Sequence, residues 1–232
     1  MSDVKTRLLD AALPHVPFDG WSEGTFRLAV TDASLTPAQA RAICPRGAVD
    51  LALAFHDRGD TQMIARLKAA NLEDMRFRDR VAFAVRTRLE IAEEDKEAVR
   101  RGVTLFALPI HAADGAKAIW GTADAIWDTL GDTSSDVNWY TKRAILSGVY
   151  SSTTLFWLGD ESEDHADTWG FLDRRIANVM QFEKVKSRAK DSPVLQRLMV
   201  GPNALLSRIR APAKMPRGDL PGWWREPPAR ER

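Results

Sequence analysis

The stretch SSDVNWYTKRAILSGVYSSTTLFWLGDES, residues 134–162, decides the fold. It opens on residues suited to capping a helix, sets Trp139 beside Tyr140, and follows them with Lys142 and Arg143. From Ala144 to Gly159 it carries no charge. Wound at about 100° per residue, the segment has two apolar sectors. Trp139, Arg143, Leu146, Tyr150 and Trp157 share one, while Val137, Ala144, Gly148 and Leu155 lie roughly opposite. A helix apolar on two sides has neighbours on both, so this one is predicted to run through the middle of a domain or into an oligomer interface. The small residues Ala144, Gly148, Ser151 and Ser152 would let another helix approach closely. The first turn differs. Asp136, Trp139, Tyr140, Lys142 and Arg143 are not expected all to be buried, because an unpaired cation out of water is costly. A Trp/Tyr/Arg cluster partly at the surface has the composition of a protein–protein hot spot.

Working outward, the periodicity stays helical and strand signals are nearly absent. Helices are predicted over 4–13, 21–33, 34–43, 48–70, 74–94, 96–109, 114–130 and 167–190. Pro14 and Pro17 end the first, Thr36 caps the third ahead of Pro37, and Gly59 marks a possible break in the fourth. The segment 114–130 lines up Ala116, Ile119, Trp120, Ala123, Trp127 and Leu130 on one stripe and stops at Gly131. The expectation is an all-α protein of about nine or ten helices, in three parts: 1–47, 48–190, and a basic, Pro-rich tail over 191–232.

The chain has 232 residues, 44% apolar and 28% charged, which is a globular composition with room for one sizeable core. Its net charge of +1 hides an asymmetry: residues 184–232 hold 12 Lys/Arg against 4 Asp/Glu. An acidic body with a basic tail points to a negative partner for the tail, phospholipid or nucleic acid. Cys44 is alone, so no disulfide framework forms within the chain and a reducing compartment is expected. No run is long and apolar enough to span a bilayer, and no secretory signal is legible at MSDVKTRLLDAAL, residues 1–13.

Familiar catalytic spacings are missing. There is no P-loop, GxGxxG or GxSxG, and His15, His56, His111 and His165 occur in no metal-binding motif. Each reads as a structural or surface histidine. Asp160, Glu161, Glu163, Asp164 and Asp167 read as a solvated interhelical loop. No catalytic residue, metal site or cofactor is nominated.

DVNWYTKRAILSGVYSSTTLFWLGDES followed by DTWGFLDRRI resembles the signature region of the accessory family of ubiquinone (coenzyme Q) biosynthesis. LLDAALPHVPFDGWSEGTFRLA and CPRGAVDLALAF are similar to it too, so the likeness covers about 1–190. The resemblance implies a tetracycline-repressor-like fold, a homodimer, and an internal pocket for an isoprenoid or other lipid. It further implies a non-catalytic role beside the di-iron demethoxyubiquinone hydroxylase, presenting a membrane-borne quinone intermediate. The family's partner patch maps to Trp139 and Tyr140, taken here with Asp136 and Arg143. Trp120, Leu146, Val149, Tyr150 and Leu155 are candidate lipid contacts. Membrane contact is expected of Leu195, Leu198, Met199, Leu205, Leu206 and Ile209, flanked by Arg197, Arg208 and Arg210 and broken at Gly201-Pro202. The expected location is the bacterial cytoplasm, peripheral on the inner membrane, with the mitochondrial matrix as the eukaryotic counterpart.

The same fold raises an alternative, a DNA-binding regulator with LTPAQARAIC, residues 35–44, in the recognition position. Readers of base edges place basic and amide side chains there. This segment offers Thr36, Gln39 and Arg41, with Arg27 and Arg46 near by, against Asp19, Glu23 and Asp32, and is too apolar and weakly basic for that task, so no nucleic-acid partner is expected.

Overall fold

Local capping chemistry starts the helices where the chain allows it. Thr36 accepts a hydrogen bond from the Gln39 backbone while the Gln39 side chain accepts one from the Thr36 backbone, with Pro37 filling the first helical position. Ser22 caps its helix through the Thr25 amide, and Asp136 caps another through the Asn138 amide. The computed structural model describes residues 3–190 and Ala211, with side chains through Val179 and at Ala211. Among the described residues there are ten α-helices, one short 3-10 helix and no strand.

Helices α1 (Asp3–Ala12), α2 (Val16–Asp19), α3 (Glu23–Asp32) and α4 (Pro37–Ile43) wrap a first core. Leu8, Leu9, Val16, Trp21, Phe26 and Ala40 are buried there. The long α5 (Ala48–Ala69) begins in this core, through Leu51, and ends in a second one, through Met63 and Leu67. That second core is completed by α6 (Phe77–Glu90), α8 (Ala112–Thr129), α9 (Val137–Gly159) and α10 (Ala166–Lys190), with α7 (Lys96–Phe106) along its side. Each core removes aromatic and aliphatic side chains from water at about 25 cal/mol per Å² of apolar surface, the main term holding such a bundle together.

The helix order follows the sequence expectation, with three local differences. Pro17 does not merely end α1; it starts the extra turn α2. Helix α4 begins at Pro37, because Ser34 takes a left-handed φ of 54° that no helix admits. Gly59 does not break α5. It lies buried inside an unbroken helix with the Arg88 guanidinium against it, and a Cβ at that position would stand 2.6 Å from Arg88 Cζ. Glycine is there to let another helix's side chain lie flat on the backbone.

Candidate functional site

Helix α9 carries two features that bear on function, one at each side of its core-facing stripe. At its start, α8 turns over Gly131 (φ 81°) and hands the chain to Asp136, so that Arg143 in the second turn of α9 faces back onto α8. Its side chain has 0% exposure. Three carboxylates meet it: Asp124 on Nε, Asp128 at 3.2 Å from Nη2 and Asp132 at 3.0 Å from Nη1. Nη1 also donates to the Trp139 carbonyl oxygen at 3.2 Å, and the guanidinium lies 4.0 Å over the Trp139 ring. Lys142 donates to Asp132 at 2.7 Å and Ser134 at 2.6 Å. Burial pushes Asp132 up, but hydrogen bonds from Lys142, Ser134 and Arg143 more than offset this and hold its carboxyl well below the usual range.

Arg143 is therefore the correction to the surface-cluster expectation. Burial of a cation is costly when it is unpaired, and this one is paired three times over. The signal was present in the sequence as Asp124, Asp128 and Asp132, one carboxylate per turn along α8 and just past its end. Above this buried anchor sits an aromatic corner. Trp139 and Tyr140 meet edge to face at 4.8 Å between centroids, and Trp120 of α8 lies 5.9 Å from Trp139 and 6.4 Å from Tyr140. Tyr140 is 37% exposed, Trp139 and Trp120 are half-buried, and Asp136 is exposed as the helix cap.

The second feature is a cavity of about 410 Å³ bordered by α5, α6, α7, α8 and α9 and partly open to solvent. Its wall is apolar over most of its area, with Phe55, Val103, Phe106 and Ile119 among the lining, and Leu155, 58% exposed, is also part of that wall. Gly115 brings α8 close to α7, since a Cβ there would stand 2.7 Å from Phe106 Cβ. His56, Arg88, Tyr150, Ser151 and Thr154 form its polar wall. Arg88 donates from Nε to Asp60 at 2.7 Å and from Nη2 to the His56 carbonyl oxygen at 3.1 Å. The Thr122 hydroxyl sits 3.0 Å from both Asp60 oxygens and 2.8 Å from His56 Nε2. Burial pulls His56 below its ordinary value, and Arg88 acts in the same direction against the opposing pull of Asp60. A second cavity, about 300 Å³, opens between α6, α8, α9 and α10 beside Trp127 and Ile145.

The candidate lipid contacts divide among these spaces. Tyr150 and Leu155 line the larger cavity, Leu146 and Val149 line the smaller, and Trp120 lines neither because it stacks in the aromatic corner. His56, Asp60, Arg88 and Thr122 were not anticipated. The His56–Asp60 spacing is one helical turn, but Arg88 comes from 28 residues away and no local pattern announces it. The membrane-contact candidates Leu195, Arg197, Leu198, Met199, Leu205, Leu206, Arg208, Ile209 and Arg210 lie outside the described residues. In the acidic loop, Asp160, the residue that ends α9, is buried and accepts from the Thr168 backbone at 2.9 Å and from the Ser162 backbone at 2.8 Å. Among the described residues no helix is long and apolar enough to cross a membrane, and no group of metal-ligating side chains gathers.

An all-α bundle with a short helical N-terminal part and an internal cavity is the architecture of the tetracycline-repressor class. The chain superposes on the TetR transcriptional regulator from Nitrosomonas europaea with a TM-score of 0.62, at 18% identity, over 76% of this chain and 97% of that one. That likeness is one of fold. Residues 112–183, which hold α8, α9 and most of α10, match the COQ9 family model. It is 32% identical to ubiquinone biosynthesis protein COQ9-A, mitochondrial, of Xenopus laevis over 84% of this chain and 64% of that one. It is 31% identical to the corresponding COQ9 protein of Rattus norvegicus over 82% of this chain and 62% of the relative. The chain thus spans less than two thirds of the length of these relatives. Both relatives are named as mitochondrial, and nothing among them favours the bacterial location expected from the sequence.

Proposed function

We propose that this protein serves ubiquinone biosynthesis as a non-catalytic carrier, holding an isoprenoid or quinone intermediate and offering it to the di-iron demethoxyubiquinone hydroxylase. The observation that carries this reading is the pairing on one helix of an apolar cavity of about 410 Å³ with an exposed aromatic corner. A cavity of that size suits a single small hydrophobic ligand. The corner has the make-up of an anchor: large rings, little conformational entropy to lose, and a buried cation fixing Trp139 from beneath. Named relatives in ubiquinone biosynthesis support the pathway. A homodimer fits the outer face of α9, where Ala144 and Gly148 are exposed and a Cβ on Gly148 would meet only open space. The basic tail is assigned to the membrane surface, on the matrix side of a mitochondrial membrane, the organelle named for the relatives.

The DNA-regulator alternative has less support. Arg41 is paired with Glu23 and stacked on Phe26, and Arg46 is held by Asp50 and Asp114, so these cations near the helix-turn-helix are spent on the protein's own carboxylates. Native mass spectrometry followed by lipid extraction tests the cargo, with a dimer carrying a prenylated aromatic as the expected species. Replacing Trp139 and Tyr140 together by Ala should weaken hydroxylase binding by about thirtyfold or more at unchanged helicity. Retained affinity removes the docking assignment, and lipid-free protein from a ubiquinone-producing host removes the cargo.

A further inference from the structure

The polar wall of the larger cavity narrows the chemistry of its occupant. Arg88 is 4% exposed, and its bonds to Asp60 and the His56 carbonyl use two of the five N–H groups a guanidinium carries. Tyr150 is 5% exposed, lines the same cavity, and lies near enough to Arg88 to respond to its charge. Burial pushes its phenol up and Arg88 draws it only partway back, so the hydroxyl stays protonated and able to donate. Asp60, in contrast, is not part of the lining. It stands behind the wall, bonded to Arg88 and to the Thr122 hydroxyl. Arg88 therefore shows the occupant unspent hydrogen-bond donors, beside the Ser151 and Thr154 hydroxyls, which already donate to backbone carbonyl oxygens, while the charge that balances Arg88 is already in place.

Two consequences follow from elementary electrostatics. A pure hydrocarbon leaves the donors of the all but inaccessible Arg88 without acceptors, which is costly. An anionic head, a carboxylate or phosphate, would add a second negative charge against a single buried arginine and leave the site with an unmatched charge. Resting on the carrier reading above, we infer that the site selects an uncharged head bearing an acceptor oxygen, held by Arg88 and Tyr150, on an apolar chain that runs along the Phe55, Phe106 and Ile119 wall. Tyr150 and Arg88 are then the specificity-determining residues, and the cavity discriminates against free fatty acids and prenyl phosphates.

The test uses the full-length protein, Nile red as a reporter of cavity occupancy, and three competitors sharing one C15 chain: farnesol, farnesoate and farnesene. Farnesol should displace the dye at about a tenfold lower concentration than either of the others. Tyr150→Phe, checked for unchanged helicity, should reduce the farnesol advantage over farnesene about threefold and leave farnesene itself unmoved. The inference is overturned if farnesoate or farnesene matches farnesol on the unaltered protein, a ranking that decides the matter even where the variant does not fold. A dye that fails to bind at all overturns the cavity reading as well, and so is distinct from a dye that binds and is displaced equally by all three.

Discussion

Two buried arginines divide the work of this molecule, and their surroundings differ in one respect. Arg143 meets three carboxylates, a carbonyl oxygen and the face of Trp139, using four of its five N–H groups. Arg88 meets one carboxylate and one carbonyl oxygen, and its remaining donors border a cavity. Both sit on helices of the second core, and both are all but inaccessible to water. A cation with nearly every donor engaged is a fastener: it ties α9 to the end of α8 and sets the height of the aromatic corner. A cation given the minimum is available. The comparison teaches that burial alone does not separate structure from function, whereas the count of satisfied donors does.

The strongest break of this contrast is at the corner. Arg143→Met keeps the length and removes the charge, leaving Asp132 buried with only Lys142 and Ser134 as hydrogen-bonding partners. Loss of about 3–5 kcal/mol is expected, the range for removing one side of a buried ion pair, measured by urea unfolding. The same replacement at Arg88 leaves Asp60 with the Thr122 hydroxyl still bonded to it, so a smaller loss is expected. If Arg88→Met proves the more damaging, the assignment of fastener and ligand-facing cation is reversed.

A middle-sized effect is expected at Gly59. An added methyl would stand 2.6 Å from Cζ and Nη1 of Arg88 and 2.7 Å from Nη2, so the guanidinium must lift from the helix and stretch its bonds to Asp60 and His56. Gly59→Ala should cost about 1–3 kcal/mol, even though alanine is the better helix former. Gly148, with open space around its Cβ position, provides the control: Ala there should be neutral or gain up to about 1 kcal/mol in the monomer. Equal behaviour at the two positions would show that Arg88 is not seated on Gly59.

What could be read from the sequence follows from how local each feature is. Caps such as Thr36 with Pro37 and Gln39, and the charge-free run of α9, are written within a few residues, so helix order was legible. The partners of Arg143 come from α8 and the loop just past its end, and a buried cation is expensive only when it is alone. Gly59 was legible as unusual but not as a seat, because its neighbour is Arg88 on α6. The aromatic corner was visible as Trp139 and Tyr140, while Trp120 required the packing of α8 on α9 to bring it there. Periodicity reports which face of a helix is apolar. It does not report which polar side chains cross between helices to meet.

The smallest effect sharpens the comparison most, because the two clusters should respond to acid in different windows. At the cavity, His56 is neutral in the folded protein: burial lowers its affinity for a proton, and Arg88 adds to this against Asp60 and Asp57. The unfolded chain takes up that proton near pH 6.5, so it binds more protons than the folded one as pH falls below that value, and stability declines there. At the corner, Asp132 has the opposite ground state, ionised and held low by Lys142, Ser134 and Arg143 against the effect of burial. Its contribution is complete above the unfolded carboxylate value of about 3.9 and is lost only as pH falls through that value towards the folded one. The cavity end should therefore weaken first and the corner last. His56→Gln should remove the decline between about pH 7 and pH 5 while leaving the acid limb below about pH 4 in place. A wild-type-minus-variant stability difference that stays flat across the upper window would mean that His56 already exchanges its proton freely with solvent, and the wall of the cavity would then be wetter than the geometry of Thr122, Asp60 and Arg88 implies.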